Sequence, residues 1–158
     1  MSTHDVTIHE EAAHRIDGIL LRFLEESSAI DALLIDRSGQ LLAGGGTALD
    51  TVSLSALAAG AFSSTAAMAR IVGEPEFTML FHQGINENIH VAAVDEQSIL
   101  LAVFDHRTTA GMVRLFAKEA TAAIGAVLAE SKGRPARTGA LAVPLADGEA
   151  ARMFKERG

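Results

Sequence analysis

Residues 49–73 read LDTVSLSALAAGAFSSTAAMARIVG, and the fold turns on how this stretch is taken. The spacing predicts one helix. Asp50 is placed to cap it, because its carboxylate can accept from the free N–H groups of the first turn. Gly73 suits a left-handed terminating residue, and Pro75 prevents resumption. Between these ends, from Thr51 to Ala69, no residue is charged. Leu54, Leu57, Ala61, Thr65, Met68 and Val72 recur at helical spacing as one greasy stripe. Ala56, Ala59, Ser63 and Ala67 form a smooth face opposite it. A surface helix ordinarily carries charges there. A membrane span is disfavoured, because six hydroxyl side chains interrupt the window and no flanking pattern signals insertion. A helix buried wholly inside its own domain is one reading. The preferred one is a helix covered twice, with Leu54, Leu57 and Met68 on its own sheet and a protein partner on the small face.

Upstream, residues 7–26 predict a first helix. Thr7 and Glu10 have capping-box spacing, and Ile8, Ala12, Ile16, Ile19, Leu20, Phe23 and Leu24 form its apolar stripe. Ala32–Ile35 reads as a strand buried on both faces, Arg37-Ser38-Gly39 as a turn, and Gln40–Ala43 as the returning strand. Gly44–Gly46 then leads flexibly into the central helix. Downstream, Phe77–Gln83, Asn88–Val94 and Ser98–Phe104 read as three strands, the last a continuous apolar run expected at the centre of a sheet. Thr108 or Thr109 caps a last helix to about Ser131, with a stripe of Met112, Val113, Phe116, Ala120, Ile124, Val127 and Leu128. Short turns make neighbouring strands antiparallel. The expected class is therefore α+β, in the order α-β-β-α-β-β-β-α: a five-stranded antiparallel sheet sandwiched by helices. Residues 1–131 form this domain. Residues 132–144, KGRPARTGALAVP, read as a linker. Residues 145–158 read as a short amphipathic C-terminal helix or tail anchored by Leu145, Met153 and Phe154, too short to stand alone. It is either frayed or folded on a partner.

At 158 residues the chain can bury about two-thirds of its unfolded surface. Its net charge of −7 argues against nucleic acid, whose phosphates require a basic face, and the lack of Trp and Tyr leaves few stacking platforms. With no cysteine there is no thiolate metal site or disulfide framework. The polar N-terminus lacks a basic and then apolar leader, so a cytoplasmic location is expected.

Searches for chemistry return little. His9 and His14 are five residues apart, about 140° around a helix, where a zinc-binding pair needs four. His82, His90 and His106 fall in separate strands or loops, where histidines are ordinarily satisfied by the fold. Gly44-Gly45-Gly46 lacks the Gly-Lys-Ser/Thr of a phosphate loop. Arg107, in Asp105-His106-Arg107, has the chemistry of an arginine finger, but a local ion pair with Asp105 is the preferred reading. We expect no catalytic residues, metal or cofactor.

The segments ALLIDRSGQLLAG, LDTVSLSALAAG, ARIVGEPEFTMLFHQG and ILLAVFDHRTTAGMVRLFAKEA resemble the Roadblock/dynein-light-chain family, and its MglB branch in particular. The resemblance spans about residues 8–130. It is most specific in FHQG at 81–84, FDHRT at 104–108 and VRL at 113–115. It implies a Roadblock/longin-like fold and a homodimer whose second helices lie side by side, with sheets able to join edge to edge. It also implies a GTP-bound, Ras-like small GTPase of the MglA type as partner, docked on the paired helices. Hydrolysis is then stimulated by ordering the GTPase's own catalytic groups, in cell polarity or motility and with a location at the cell poles. Carried onto this chain, the partner surface falls on Ala56, Ala59, Ser63 and Ala67, with Met153 and Phe154 of the tail, and the dimer contact on Phe62. A non-catalytic scaffold tethering a GTPase or motor complex is the alternative. A small-molecule sensor of similar layered shape is a third reading, for which no convergent polar residues are visible.

Overall fold

The computed structural model describes residues 8–46 and 49–132. Eight elements follow in order: α1 (Glu10–Ser27), β1 (Asp31–Asp36), β2 (Leu41–Gly44), α2 (Thr51–Ile71), β3 (Met79–Gln83), β4 (Asn88–Ala93), β5 (Ser98–Phe104) and α3 (Ala110–Lys132). The architecture is the expected α+β one. The five strands form one sheet in the order β2-β1-β5-β4-β3, with every neighbouring pair antiparallel.

The centre of the sheet joins strands far apart in sequence. β1 pairs with β5 along its whole length, from Asp31 opposite Val103 to Asp36 opposite Ser98. Every residue of both strands is buried, because helices cover both faces. Alternation divides them: Ala32, Leu34, Leu100, Ala102 and Phe104 meet α1 and α3, while Leu33, Ile35, Ile99, Leu101 and Val103 face the α2 side.

α1 contributes Ala12, Ile16, Leu20 and Phe23 to the first layer. It ends where Ser28, at φ 62°, donates its N–H to the Leu24 carbonyl. The expected Thr7 cap is corrected: the helix begins at Glu10 with His9 in the N-cap position and no side-chain cap bond, and Thr7 lies outside the described residues. α3 is capped by Thr109, whose hydroxyl accepts from the Met112 N–H at 3.1 Å. Val113, Ala117, Ala120, Ile124, Val127 and Leu128 form its buried stripe, and Met112, expected within that stripe, is exposed.

The glycine lead into α2 is tightly built. Gly44 sits at φ 89°, and a side chain there would stand 2.2 Å from the Ala32 carbonyl oxygen. Two residues on, the Gly46 N–H donates to the buried Asp31 carboxylate at 2.9 Å, fixing the exit from β2.

Candidate functional site

α2 forms as expected at its ends. The Asp50 carboxylate accepts from the Ser53 N–H at 3.1 Å, a bond that also holds the Asp50 carboxyl below its ordinary range. Val72 closes the helix, and Gly73 follows at φ 93°. Its orientation corrects the reading of its faces. The residues against the sheet are Ser55, Ala58, Ala59, Phe62 and Ala69. That strip lies between the greasy stripe and the small face, roughly 100° from each around the helix. Phe62, expected at a dimer contact, is 3% exposed and packs with Leu33, Ile35, Ile99 and Leu101 in the chain's own core. Ala59, expected at the partner surface, is buried in the same cluster.

Small residues let α2 sit low, and what comes close is the chain's own β1–β2 turn. A methyl group built on Gly39, at φ 105°, would stand 3.2 Å from the Ala56 Cα and 4.0 Å from the Ala59 Cβ. Large side chains cannot occupy that seam, so they are displaced to the flank. Leu57 is 71% exposed, Met68 54% and Ile71 84%, while Leu54 alone of the expected sheet contacts is half-buried; Val52, 75% exposed, falls on the small side, about 20° from Ser63 around the helix. Ser63 and Ala67 are exposed on the other flank, beside Ala56. α2 therefore presents two solvent faces, one of large side chains and one mostly of small ones, with Arg70 in the last turn as its one charged residue. A lone exposed leucine is ordinary, whereas several large apolar groups on one helix mark an interaction surface. The helix is long and apolar enough to cross a membrane by length and composition alone, but its buried strip lies on the sheet.

One polar group ties this surface to the domain, and its turn-like context concealed it. Arg37, in the β1–β2 turn, pairs with Glu76 at 2.7 Å and donates to the Asp95 carbonyl. Its guanidinium also lies 5.2 Å from the Phe62 ring centroid. It thus joins the β1–β2 turn, the approach to β3, the β4–β5 turn and the underside of α2.

The other candidates resolve simply. Arg107 pairs with Asp105 at 3.0 Å, and its own N–H donates to the same carboxylate at 3.0 Å. That pairing holds the Asp105 carboxyl below its ordinary range and raises Arg107. Among the described residues, no group of three or more His, Asp or Glu side chains could hold a metal. His90 is the exception to the expectation that the fold satisfies its histidines. It is 3% exposed on β4, and neither ring nitrogen has a hydrogen-bond partner. A cleft of about 770 Å³ lies between α1, Gly44–Gly46 and the end of β5. Of its acids, Asp31 is already engaged by two backbone N–H groups. Met153, Phe154 and the linker from residue 133 lie outside the described residues.

Residues 15–104 match the family model for the Roadblock/LC7 domain. Among solved structures, the chain is similar to the gliding protein MglB of Thermus thermophilus at 30% identity and a TM-score of 0.76, covering 80% of this chain and 97% of that one. MglB of Myxococcus xanthus matches at 30% identity and a TM-score of 0.70, covering 73% and 96%. A structure of MglB in a tetrameric arrangement matches at 30% and 0.77, covering 80% and 97%. A Roadblock/LC7 domain from Streptomyces avermitilis, at 14% identity and a TM-score of 0.66 over 72% of this chain and 97% of that one, shares the fold. No curated protein sequence matches.

Proposed function

Because the chain belongs to the Roadblock/LC7 family, we propose that it is a homodimeric activator of a Ras-like small GTPase of the MglA type, without an active site of its own. The observation that carries this reading is the doubly exposed α2, free of charge from Thr51 to Ala69, on a chain 30% identical to MglB over most of its length. The flank of Leu57, Met68 and Ile71 meets the same flank of a second copy, and the small face of Ala56, Ser63 and Ala67 receives the GTPase. Phe62 and Ala59 support that surface from beneath. The free edge at β3 is the second place where two sheets can join. The setting we propose is cytoplasmic polarity or motility.

The mechanism asks no covalent step of this chain. A docked surface that excludes water holds the GTPase's switch loops in their hydrolytic arrangement, lowering the barrier through orientation and preorganised charge. Each tenfold in rate requires only about 1.4 kcal/mol. Arg107, paired with Asp105, is not needed as a finger. A single-turnover GTP hydrolysis assay with an MglA-type GTPase tests the proposal. Acceleration of at least tenfold is expected. Binding without acceleration selects the scaffold reading, and no binding at all rejects both.

A further inference from the structure

The cleft of about 770 Å³ beside the second half of α1 has an apolar wall made by Leu21, Leu24, Ile30 and Leu49. Leu21 is 61% exposed and Ile30 37%, although α1 already buries a full stripe against α3 and the sheet. A single exposed leucine is ordinary, but here two large apolar groups share one concavity with room for several side chains. Across from them, Gly44, Gly45 and Gly46 form a wall without side chains.

The cleft also has a definite charge. Asp17 and Glu87 line it, both exposed, and neither makes an ion pair among the described residues. Arg107 feels the charge of Glu87 but is held by Asp105. Asp31 is buried and already accepts from the Ala32 and Gly46 N–H groups. No lysine, arginine or histidine lines the cleft. The occupant that fits is therefore apolar at its centre and basic at its edges.

The chain carries such a segment beyond the described residues. Residues 151–158 read ARMFKERG, in which Met153 and Phe154 are flanked by Arg152, Lys155 and Arg157, with Glu156 as the one acid. The preceding LADGEA, 145–150, has two acids and no base, so basic and aromatic character is concentrated at the very end. Reach does not limit the contact. α3 ends at Lys132, whose ammonium lies 3.7 Å from Asp95 in the β4–β5 turn, whereas the cleft is at the other end of β5, beside Val103. Ser98 to Val103 spans about 17 Å of strand, and residues 133–150 can span up to about 60 Å. A tether of that length supplies the segment at an effective concentration on the order of millimolar, so a modest contact suffices.

We propose that residues 152–157 dock in this cleft of their own chain, with Met153 and Phe154 on Leu21, Leu24 and Ile30 and the basic side chains toward Asp17 and Glu87. A tail seated there is withheld from other partners. No residue of α2 lines the cleft, so the inference is independent of the surfaces assigned to the twin and the GTPase.

The chain has no cysteine, so Gly158→Cys provides a unique site for a nitroxide label on the full-length protein. In NMR spectra the label is expected to broaden the amides of Leu21, Ile30 and Gly46 selectively. Phe154→Ser removes the aromatic anchor and should lower the docking equilibrium about tenfold or more. Asp17→Lys, at an exposed position, should lower it by about threefold, as suits a solvent-facing charge pair. A mixture of labelled chains with unlabelled, isotope-enriched chains reports docking on a neighbouring copy, and no comparable broadening is expected there. Three results overturn the proposal: broadening without preference for the cleft, broadening unchanged by Phe154→Ser, or comparable broadening in the mixture, which would assign the segment to the neighbouring copy.

Discussion

Replacing Leu57 by Gln removes an apolar side chain from the flank of α2 while keeping its length and much of its helix-forming tendency. In one chain Leu57 is 71% exposed, so the fold has little to lose, about 0.5–1 kcal/mol at most. Covering a leucine fully is worth about 2–3 kcal/mol, so a twin that buries the exposed part gains about 1.5–2 kcal/mol from each copy. A twofold axis presents the residue twice, which brings the loss to about 3–4 kcal/mol and the expected rise in dimer dissociation constant to two or three orders of magnitude. Sedimentation equilibrium across a dilution series measures the constant, and far-ultraviolet circular dichroism at 25 °C checks the fold. A dissociation constant within about threefold of the parent would place the twin elsewhere. A chain that loses its helical signal would show that Leu57 belongs to the core, contrary to its exposure.

Phe62→Ala should behave in the opposite way. It empties a core position and removes the ring beneath Arg37, so urea unfolding should show a loss of about 3–5 kcal/mol. Ser63→Arg or Ala67→Arg should abolish GTPase binding in a pull-down with the GTP-loaded partner and leave the melting temperature within a few degrees of the parent; an unfolded variant would assign that face to the core. Gly44→Ala should cost about 3 kcal/mol or more, because it forces a side chain onto the Ala32 carbonyl at positive φ. A melting curve superposable on the parent's would refute that geometry.

Several element boundaries were legible because they carry local chemistry: Asp50 and Gly73 at the ends of α2, Gly39 in the hairpin turn, and an unbroken apolar run in β5; the start of α1, which has no side-chain cap bond, was not. The rotation of α2 was not. Ranking residues by size puts Leu57 and Met68 inside, but the space above β1 is set by the hairpin turn at Gly39, which admits only Ala56 and Ala59. The large residues are apolar because of a surface outside the chain, and nothing local distinguishes the two reasons for being apolar. Arg37 was hidden for a related cause. In sequence it is a turn residue, while its partners lie 39 and 58 residues away. His90 looked like any strand histidine, because the lack of a partner is a property of the assembled fold.

The pairing of β1 with β5 has a consequence for how the chain is made. β1 leaves the ribosome with all six of its residues destined for burial, and its principal partner begins roughly sixty residues later. At about 5–20 residues per second that is a delay of some 3–12 s. Loop closure of that length precedes any reward from the central ladder, which makes folding slow for a domain of this size. During the delay the nascent chain holds the β1–β2 hairpin and then the long apolar α2, with neither the central strand nor α3 to cover them. The same apolar stretch that readies α2 for a partner stays open to solvent in the half-made protein until Phe104 has emerged.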